Sequence, residues 1–356
     1  MRVEMTPALA DLLSTAFTGG ASDVFLVEGE RPRVRTNGEV VVAHGEELDH
    51  SSIAEIWRSC GLDPEKQNDG DASLEVAGAG RLRLNAYRTL GRLALVMRPI
   101  KEVAPSFDEL GLPGELLTSW LQRRSGLILF SGPTGSGKST SVAACLDWIN
   151  KHHSRHIVTI EDPIEYLFRN DQSYFSQREV HHDTGDFDVA LRQALRQNPD
   201  VIFFGEIRDA ESALAALRAS ETGHLVISTL HGSGVAGVTT SLERIARLIT
   251  THTASTASLL SQQLIGVVSQ QLLPRINGGL VAVLEYFQNA SVTRKWIAEG
   301  RFDELRDHVS TSKSDGACPF IRYLVAAVEQ NIIDPDTARA ACDRPQDLDR
   351  ALRGIS

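Results

Sequence analysis

The sequence predicts an α/β fold in two units: a smaller α+β module over residues 1–98 and a larger α/β core over 114–356, with 99–113 as the linker. Three observations carry this. Beyond residue 113, short unbroken apolar runs alternate with helical patterns, as the strands of a mainly parallel sheet covered on both faces do. Residues Gly132-Pro133-Thr134-Gly135-Ser136-Gly137-Lys138-Ser139-Thr140 fit the phosphate-loop pattern G-x-x-x-x-G-K-[ST]. Before residue 98 the strands at 73–76 and 81–87 alternate apolar and polar residues instead, the mark of half-buried strands.

The elements of the first unit follow in order. Leu9 to Phe17 predicts a short helix ended by Gly19-Gly20. Val24 to Val27, Arg33 to Arg35 and Val40 to Ala43 predict strands, joined by Gly29-Glu30-Arg31-Pro32 and the hairpin turn Asn37-Gly38. Ile53 to Cys60 predicts a helix, with Ser51 or Ser52 as cap and Gly61 as stop. Strands at Ser73 to Val76 and Arg81 to Tyr87 come next. The second places Leu82, Leu84 and Ala86 on one face and Arg81, Arg83, Asn85 and Tyr87 on the other. Arg88, Arg92 and Arg98 add positive charge to the same region. That face is either a solvated surface or a set of guanidinium groups, with Arg81, Arg83 and Arg98 as candidates, that reach a phosphate bound by the other unit or a neighbouring subunit.

In the larger unit the phosphate loop lies between the apolar run Leu127-Ile128-Leu129-Phe130 and a helical stretch from Ser141 to Ile149. Its glycines let successive N–H groups turn inward around phosphate oxygens; Lys138 supplies positive charge and the Ser139 hydroxyl a ligand for Mg²⁺. The strand His156 to Ile160 ends in Glu161-Asp162-Pro163-Ile164-Glu165. Glu161, at a strand tip beside the loop, is a candidate to orient Mg²⁺ or its waters, whereas Asp162 before a proline fits a turn equally. Val201 to Phe204 is a third strand. It closes in Gly205, not aspartate, so Glu206 is the candidate general base or water-orienting residue. Asp209 predicts a cap for the helix Ala210 to Glu221, which Gly223 ends. The strand Leu225 to Leu230 is flanked by His224 and His231. His231 follows a strand tip and suits a γ-phosphate sensor or water-positioning role; His224 is open between that and a structural role. The pairs His152-His153 and His181-His182 lack metal-site spacing and read as surface or loop residues. After Val235 the chain reads as mostly helical. Val267 to Leu273 leads to Pro274, a short strand spans Leu280 to Tyr286, and helices follow at Ser291 to Gly300, Phe302 to Val309, Phe320 to Asn331 and Pro335 to Cys342.

Composition limits the function classes. The chain has 356 residues, 42% apolar and 23% charged, enough for a substantial core and against bulk disorder. A net charge of −10 argues against unspecific binding to nucleic acid or anionic lipid. Cys60, Cys145, Cys318 and Cys342 form no C-x-x-C pair, so neither a disulfide framework nor a zinc site is expected and a reducing cytoplasm fits best. Residues Met1 to Leu13 lack a signal-peptide pattern, and no apolar run approaches the roughly 18 residues of a membrane span, so direct membrane insertion is not expected.

Together these stretches resemble the secretion-superfamily ATPases, and most closely the PilT family of type IV pilus retraction motors. The residues that carry the resemblance are Ala21-Ser22-Asp23-Val24, Arg81 to Tyr87, the loop at 132–140, Thr159 to Tyr166 (similar to the Asp box), Gln177-Arg178-Glu179-Val180, Asn198 to Asp209 (similar to an atypical Walker B) and Thr222 to His231 (similar to the His box). The resemblance implies a PAS-like N-terminal domain, a RecA-like ATPase domain and a homohexamer that uses ATP and Mg²⁺. It further implies Glu206 as catalytic glutamate, Glu161 as Asp-box partner, and His224 with His231 as the His-box pair. Nucleotide would then sit where domains and neighbouring subunits meet, the partner being an inner-membrane platform protein and not nucleic acid. The family's C-terminal signature Ala-Ile-Arg-Asn-Leu-Ile-Arg-Glu corresponds to Val292 to Glu299, in which Arg294 and Glu299 remain but the second arginine is Ala298. Because that signature is tied to retraction, a PilT-like accessory, secretion or conjugation ATPase is the alternative. A non-hydrolysing ATP-binding regulator is the alternative from another class, and a nucleic-acid translocase on the same core a third.

Overall fold

The order in which apolar side chains point explains the larger unit. In its central strands Leu127, Leu129, Val158, Ile160, Ile202, Phe204 and Val226 face one buried cluster, and Ile128, Phe130, Ile157, Val201, Phe203, Leu225 and Ile227 face another. Successive residues of a strand point to opposite faces, so a strand covered on both must be apolar throughout. The architecture comes from a computed structural model that describes residues 7–354 apart from 37, 181, 233–236, 251–254, 313 and 315. The chain divides into Met1–Glu102 and Val103–Ser356.

The first unit is α1 (Pro7–Thr18), β1 (Asp23–Val27), β2 (Arg33–Thr36), β3 (Glu39–Val42), α2 (His50–Ser59), β4 (Asp69–Val76), β5 (Gly80–Thr89) and β6 (Arg92–Pro99). Its strands form one antiparallel sheet in the order β3-β2-β1-β6-β5-β4, two three-stranded meanders joined through β1 and β6. Leu82, Leu84 and Ala86 are buried, as their alternation predicts, against Leu13, Ile53 and Trp57. Strand β6, central in the sheet, was not foreseen. Its run Leu93-Ala94-Leu95-Val96-Met97 does not alternate, and the arginines around it read as a charged surface. The cap of α2 is Asp49, which accepts from the Ser52 amide at 2.9 Å, and neither Ser51 nor Ser52. An aspartate directly before the first turn competes better because its charge also suits the helix N-terminus. The predicted turn residue Asn37 lies outside the described residues; Gly38 beside it has the positive φ that the turn needs.

The second unit begins with α3 (Phe107–Leu110), a one-turn helix inside the predicted linker, with Ser106 and Glu109 as capping box. There follow α4 (Gly114–Leu121), β7 (Gly126–Gly132), α5 (Lys138–His152), β8 (His156–Glu161), β9 (Tyr174–Glu179), α6 (Phe187–Ala194), β10 (Val201–Glu206), α7 (Ala210–Glu221) and β11 (Leu225–His231). Next come α8 (Val238–Thr250), α9 (Ser255–Gln263), β12 (Leu264–Pro274), β13 (Leu280–Gln288), α10 (Ser291–Glu299) and α11 (Phe302–Thr311). The unit closes with β14 (Ala317–Cys318), α12 (Phe320–Glu329), α13 (Pro335–Ala341) and α14 (Pro345–Leu352). The sheet order is β14-β13-β12-β7-β11-β10-β8-β9, parallel from β12 to β9 and antiparallel at β13 and β14. This is the RecA-like α/β class. The run Val267 to Leu273, placed in a mostly helical region by sequence, belongs to the 11-residue strand β12 beside the phosphate-loop strand.

Candidate active site

Strands β7, β8, β10 and β11 run parallel, so their carboxyl ends share one edge of the sheet. Ligands of open parallel sheets bind at that edge. The phosphate loop leaves β7 there and enters α5 at Lys138. Gly135 and Gly137 have φ of +77° and +85°, the left-handed conformation that turns amides inward. Gly132 is needed for another reason: a Cβ there would lie 2.2 Å from the Gln270 carbonyl oxygen of β12.

Lys138 is nearly buried, and its Nζ donates to the carbonyls of Gly132 at 2.9 Å and Pro133 at 2.8 Å. Burial pulls its pKa down, while the nearby Glu165 carboxylate opposes the shift. Glu165 is the residue that sequence reasoning missed. The Ser139 hydroxyl donates to its Oε1 at 3.0 Å, so this carboxylate contacts the predicted Mg²⁺ ligand directly. Glu161, assigned that place from sequence, ends β8 as expected but is buried, with Gln177 Nε2 at 3.5 Å from its Oε1. Burial pushes its carboxyl up to about 7, and repulsion from Glu165 adds to the shift. The chain turn Asp162 to Ile164 carries Glu165 back over the loop. Its place in the same acidic string was the one signal for it.

Glu206 is aimed by a bulge. The β10–β11 register shifts between Phe204 and Glu206, so Gly205 is an extra residue, and the Thr229 hydroxyl fixes its carbonyl at 2.6 Å. A Cβ on Gly205 would meet the Ile160 carbonyl of β8 at 3.1 Å, a tight approach that favours glycine at the position before Glu206, the last residue of β10. Glu206 Oε2 then lies 2.7 Å from His231 Nε2, while the Arg208 guanidinium contacts the other carboxylate oxygen and Asp162 Oδ2 at 3.6 Å. His231 Nδ1 lies 3.4 Å from the Thr134 hydroxyl of the loop. Burial and the cations Lys138, Arg244 and Arg208 lower the His231 pKa and outweigh the carboxylate beside it. A neutral ring with its proton on Nε2 satisfies both contacts, donating to Glu206 and accepting from Thr134.

The structure thus gathers Lys138, Ser139, Glu161, Glu206 and His231, and adds Glu165. It does not bring His224 to them. His224 precedes the other end of seven-residue β11, roughly 20 Å away at about 3.3 Å per residue. Its Nδ1 is 2.9 Å from the Ala219 carbonyl and 3.2 Å from the Thr222 hydroxyl, both at the end of α7. The arginines of the first unit have partners there: Arg81 donates to the Ser73 hydroxyl at 2.9 Å, Arg83 pairs with Asp71 at 3.6 Å, and Arg98 pairs with Asp23. Asp209 caps α7 as predicted, accepting from the Ser212 amide at 2.8 Å.

The donor set suits a nucleotide phosphate and its magnesium. The loop presents inward-turning amides and a lysine, and its Ser136 hydroxyl is buried with no partner among the described residues. Ser139 and Glu165 offer the hard oxygen atoms that Mg²⁺ prefers.

Comparison with known proteins shows the family. Residues 4–280 match the family described as Type II/IV secretion system protein. The chain is 35% identical to the type IV pilus retraction ATPase PilT of Pseudomonas aeruginosa, covering 96% of this chain and 99% of that one. It is 34% identical to the type IV pilus ATPase PilU of the same organism, covering 95% and 89%. A crystal structure of the pilus retraction motor PilT with bound ADP superposes with a TM-score of 0.88 at 36% identity, over 96% of this chain and 99% of that one. The chain therefore belongs to the type II/IV secretion system protein family, in its branch of PilT-type ATPases.

Proposed function

We propose that this chain hydrolyses ATP as the motor subunit that retracts a type IV pilus. The observation that carries the proposal is the joining of Lys138, Ser139, Glu206 and His231 at one sheet edge, in a chain alike over nearly its full length to a pilus retraction ATPase. In this reading the loop amides and Lys138 hold the β- and γ-phosphates. Ser139, with Glu161 and Glu165 behind it, would hold Mg²⁺, which would neutralise phosphate charge. Glu206 orients and deprotonates the attacking water, and His231 fixes the Glu206 carboxylate against the loop at Thr134.

The working form in this proposal is a homohexamer on the cytoplasmic side of the inner membrane, attached through a platform protein. Among the described residues no helix is long and apolar enough to cross a membrane. Arg81, Arg83 and Arg98 are assigned contacts to phosphate in that assembly, a role for which they must leave Ser73, Asp71 and Asp23. Phosphate release from ATP by the purified full chain, absent in Lys138→Ala, tests the activity; a parent chain that binds ATP but releases none would favour a regulator instead. Deletion of the gene with imaging of pili tests the use. Excess pili without motility supports retraction, and loss of pili points to extension.

One observation favours a second reading, an accessory or secretion ATPase. Ala298, exposed on α10, stands where the retraction signature has its second arginine. Unchanged pili and motility in the deletion strain would select it.

A further inference from the structure

Gln270 of β12 takes no part in the chemistry above, yet it is bound to the phosphate loop on every side. It is 3% exposed, and both ends of its amide are engaged. Its Nε2 donates to the Ser136 carbonyl at 2.6 Å, and its Oε1 accepts from the Ser141 hydroxyl at 2.8 Å. The assignment of oxygen and nitrogen is forced, because a backbone carbonyl can only accept. Its own carbonyl lies where a side chain on Gly132 would start, and its Nε2 lies 2.8 Å from where one on Gly137 would start. The strand therefore sits against the loop at Gly132, at the 136–137 peptide, and through Ser141 at the first turn of α5.

The geometry points to Gln270 as a positioning residue for the β-phosphate. A trans peptide is planar, with its C=O and N–H on opposite sides. When Gln270 holds the Ser136 carbonyl against β12, the N–H of the same peptide, on Gly137, must turn the other way, into the concave side of the loop. Gly137, at φ +85°, is in the left-handed conformation from which phosphate-binding nests are built. Gln270 thus fixes in advance a donor that would otherwise be free to rotate, and anchors α5 to it through Ser141. The inference rests on the ATPase reading, since it names a determinant of nucleotide binding within that site.

Two variants of the full chain separate this role from packing. Gln270→Glu keeps the acceptor for Ser141 but faces the Ser136 carbonyl with an oxygen, which can donate only when protonated. Gln270→Met keeps the volume and makes neither bond. We expect ADP to bind at least tenfold more weakly to both at pH 8, with KM for ATP raised in parallel and kcat lowered much less. The Gln270→Glu defect relative to the parent should shrink on going to pH 6, whereas that of Gln270→Met should not. Thermal midpoints without nucleotide should fall by only about 5 °C, the loss expected for one or two buried hydrogen bonds, with the chain still folding cooperatively. ADP affinity within twofold of the parent in either variant overturns the inference. So does a defect in Gln270→Glu that is equal at both pH values, or one accompanied by a large fall in the nucleotide-free midpoint. If the parent itself fails to bind ADP, the ATPase reading falls, independently of Gln270.

Discussion

Strand β11 has a histidine at each end, and the two are bonded in different ways. At the carboxyl end, beside the bonds of Lys138 and Thr229 to backbone, polar side chains bind one another: His231 meets Glu206 at 2.7 Å and Thr134 at 3.4 Å, and Ser139 meets Glu165 at 3.0 Å. At the amino end the charged side chains and the histidine bind backbone, with hydroxyls as the side-chain partners and no carboxylate–histidine pair among the described residues. His224 is held at the Ala219 carbonyl, Asp200 accepts from the His156 amide at 2.8 Å, and Arg155 donates to the Leu121 and Gln122 carbonyls. Contacts to backbone hold strand and helix ends in place and leave little to rearrange. Contacts between ionisable side chains can be exchanged for a phosphate or a water, and they cluster where all parallel strands end. The two histidines share one motif in sequence, but the direction of the strand separates their work.

This contrast is sharpened most by removing the carboxylate that the bulge at Gly205 aims. Glu206→Gln should lower ATP turnover by roughly 10²- to 10⁴-fold while ADP affinity changes little. Phosphate release and ADP binding on the same preparation measure both. Turnover at the parental rate would move the catalytic base elsewhere.

Glu161 tests whether the carboxyl end is kept at an energetic disadvantage. Its folded-state pKa is raised to about 7. Between the unfolded value, near 4.5, and 7 the folded chain holds the extra proton, so its stability falls as pH rises through that window. The distance from 4.5 to about 7 corresponds to about 3 kcal/mol at pH 8. Glu161→Gln should therefore be more stable than the parent at pH 8, with the gain shrinking toward pH 5. Denaturant titrations at the two pH values give the answer; a gain independent of pH would assign the effect to packing.

His231 comes next in size. Loss of a hydrogen bond to a charged group costs about 1.5 kcal/mol or more, so His231→Gln should lose about tenfold in kcat with a smaller change in KM. The lowered pKa of the ring keeps it neutral at pH 7. As pH falls the ring gains a proton and ceases to accept from Thr134, so His231 should contribute an acid limb to parental turnover that is missing from His231→Gln. An unchanged acid limb in His231→Gln would assign that limb to another group.

Much of this end of the molecule is legible in the sequence, for a physical reason. Strands β7, β8, β10 and β11 are buried on both faces, so they read as unbroken apolar runs, and each ends at a residue whose chemistry is conspicuous. Strand β9 was missed because Tyr174 to Glu179 is a polar edge strand paired on one side only. Strand β6 was missed because its core residues are framed by arginines. Glu165 and Gln270 failed for a different reason. Their meaning lies in contacts to residues 26 and 129 to 134 positions away, which depend on a loop path and a strand register that no local pattern encodes.

The smallest effect belongs to the amino end. Removing the His224 ring breaks its contact with the Ala219 carbonyl, where α7 passes into β11. A single half-buried hydrogen bond of this kind is worth about 1 kcal/mol, so His224→Ala should show a small loss in a denaturant titration. KM for ATP and kcat should remain within twofold of the parent, since roughly 20 Å of strand separates the ring from Glu206. The informative failure is a tenfold loss of turnover with an unchanged unfolding midpoint. That result would mean that the amino end of β11 takes part in chemistry through a neighbouring copy of the chain, because no path within one sheet edge reaches the loop. The two ends of the strand would then serve two different nucleotide sites, and their different bonding would record which subunit each one serves.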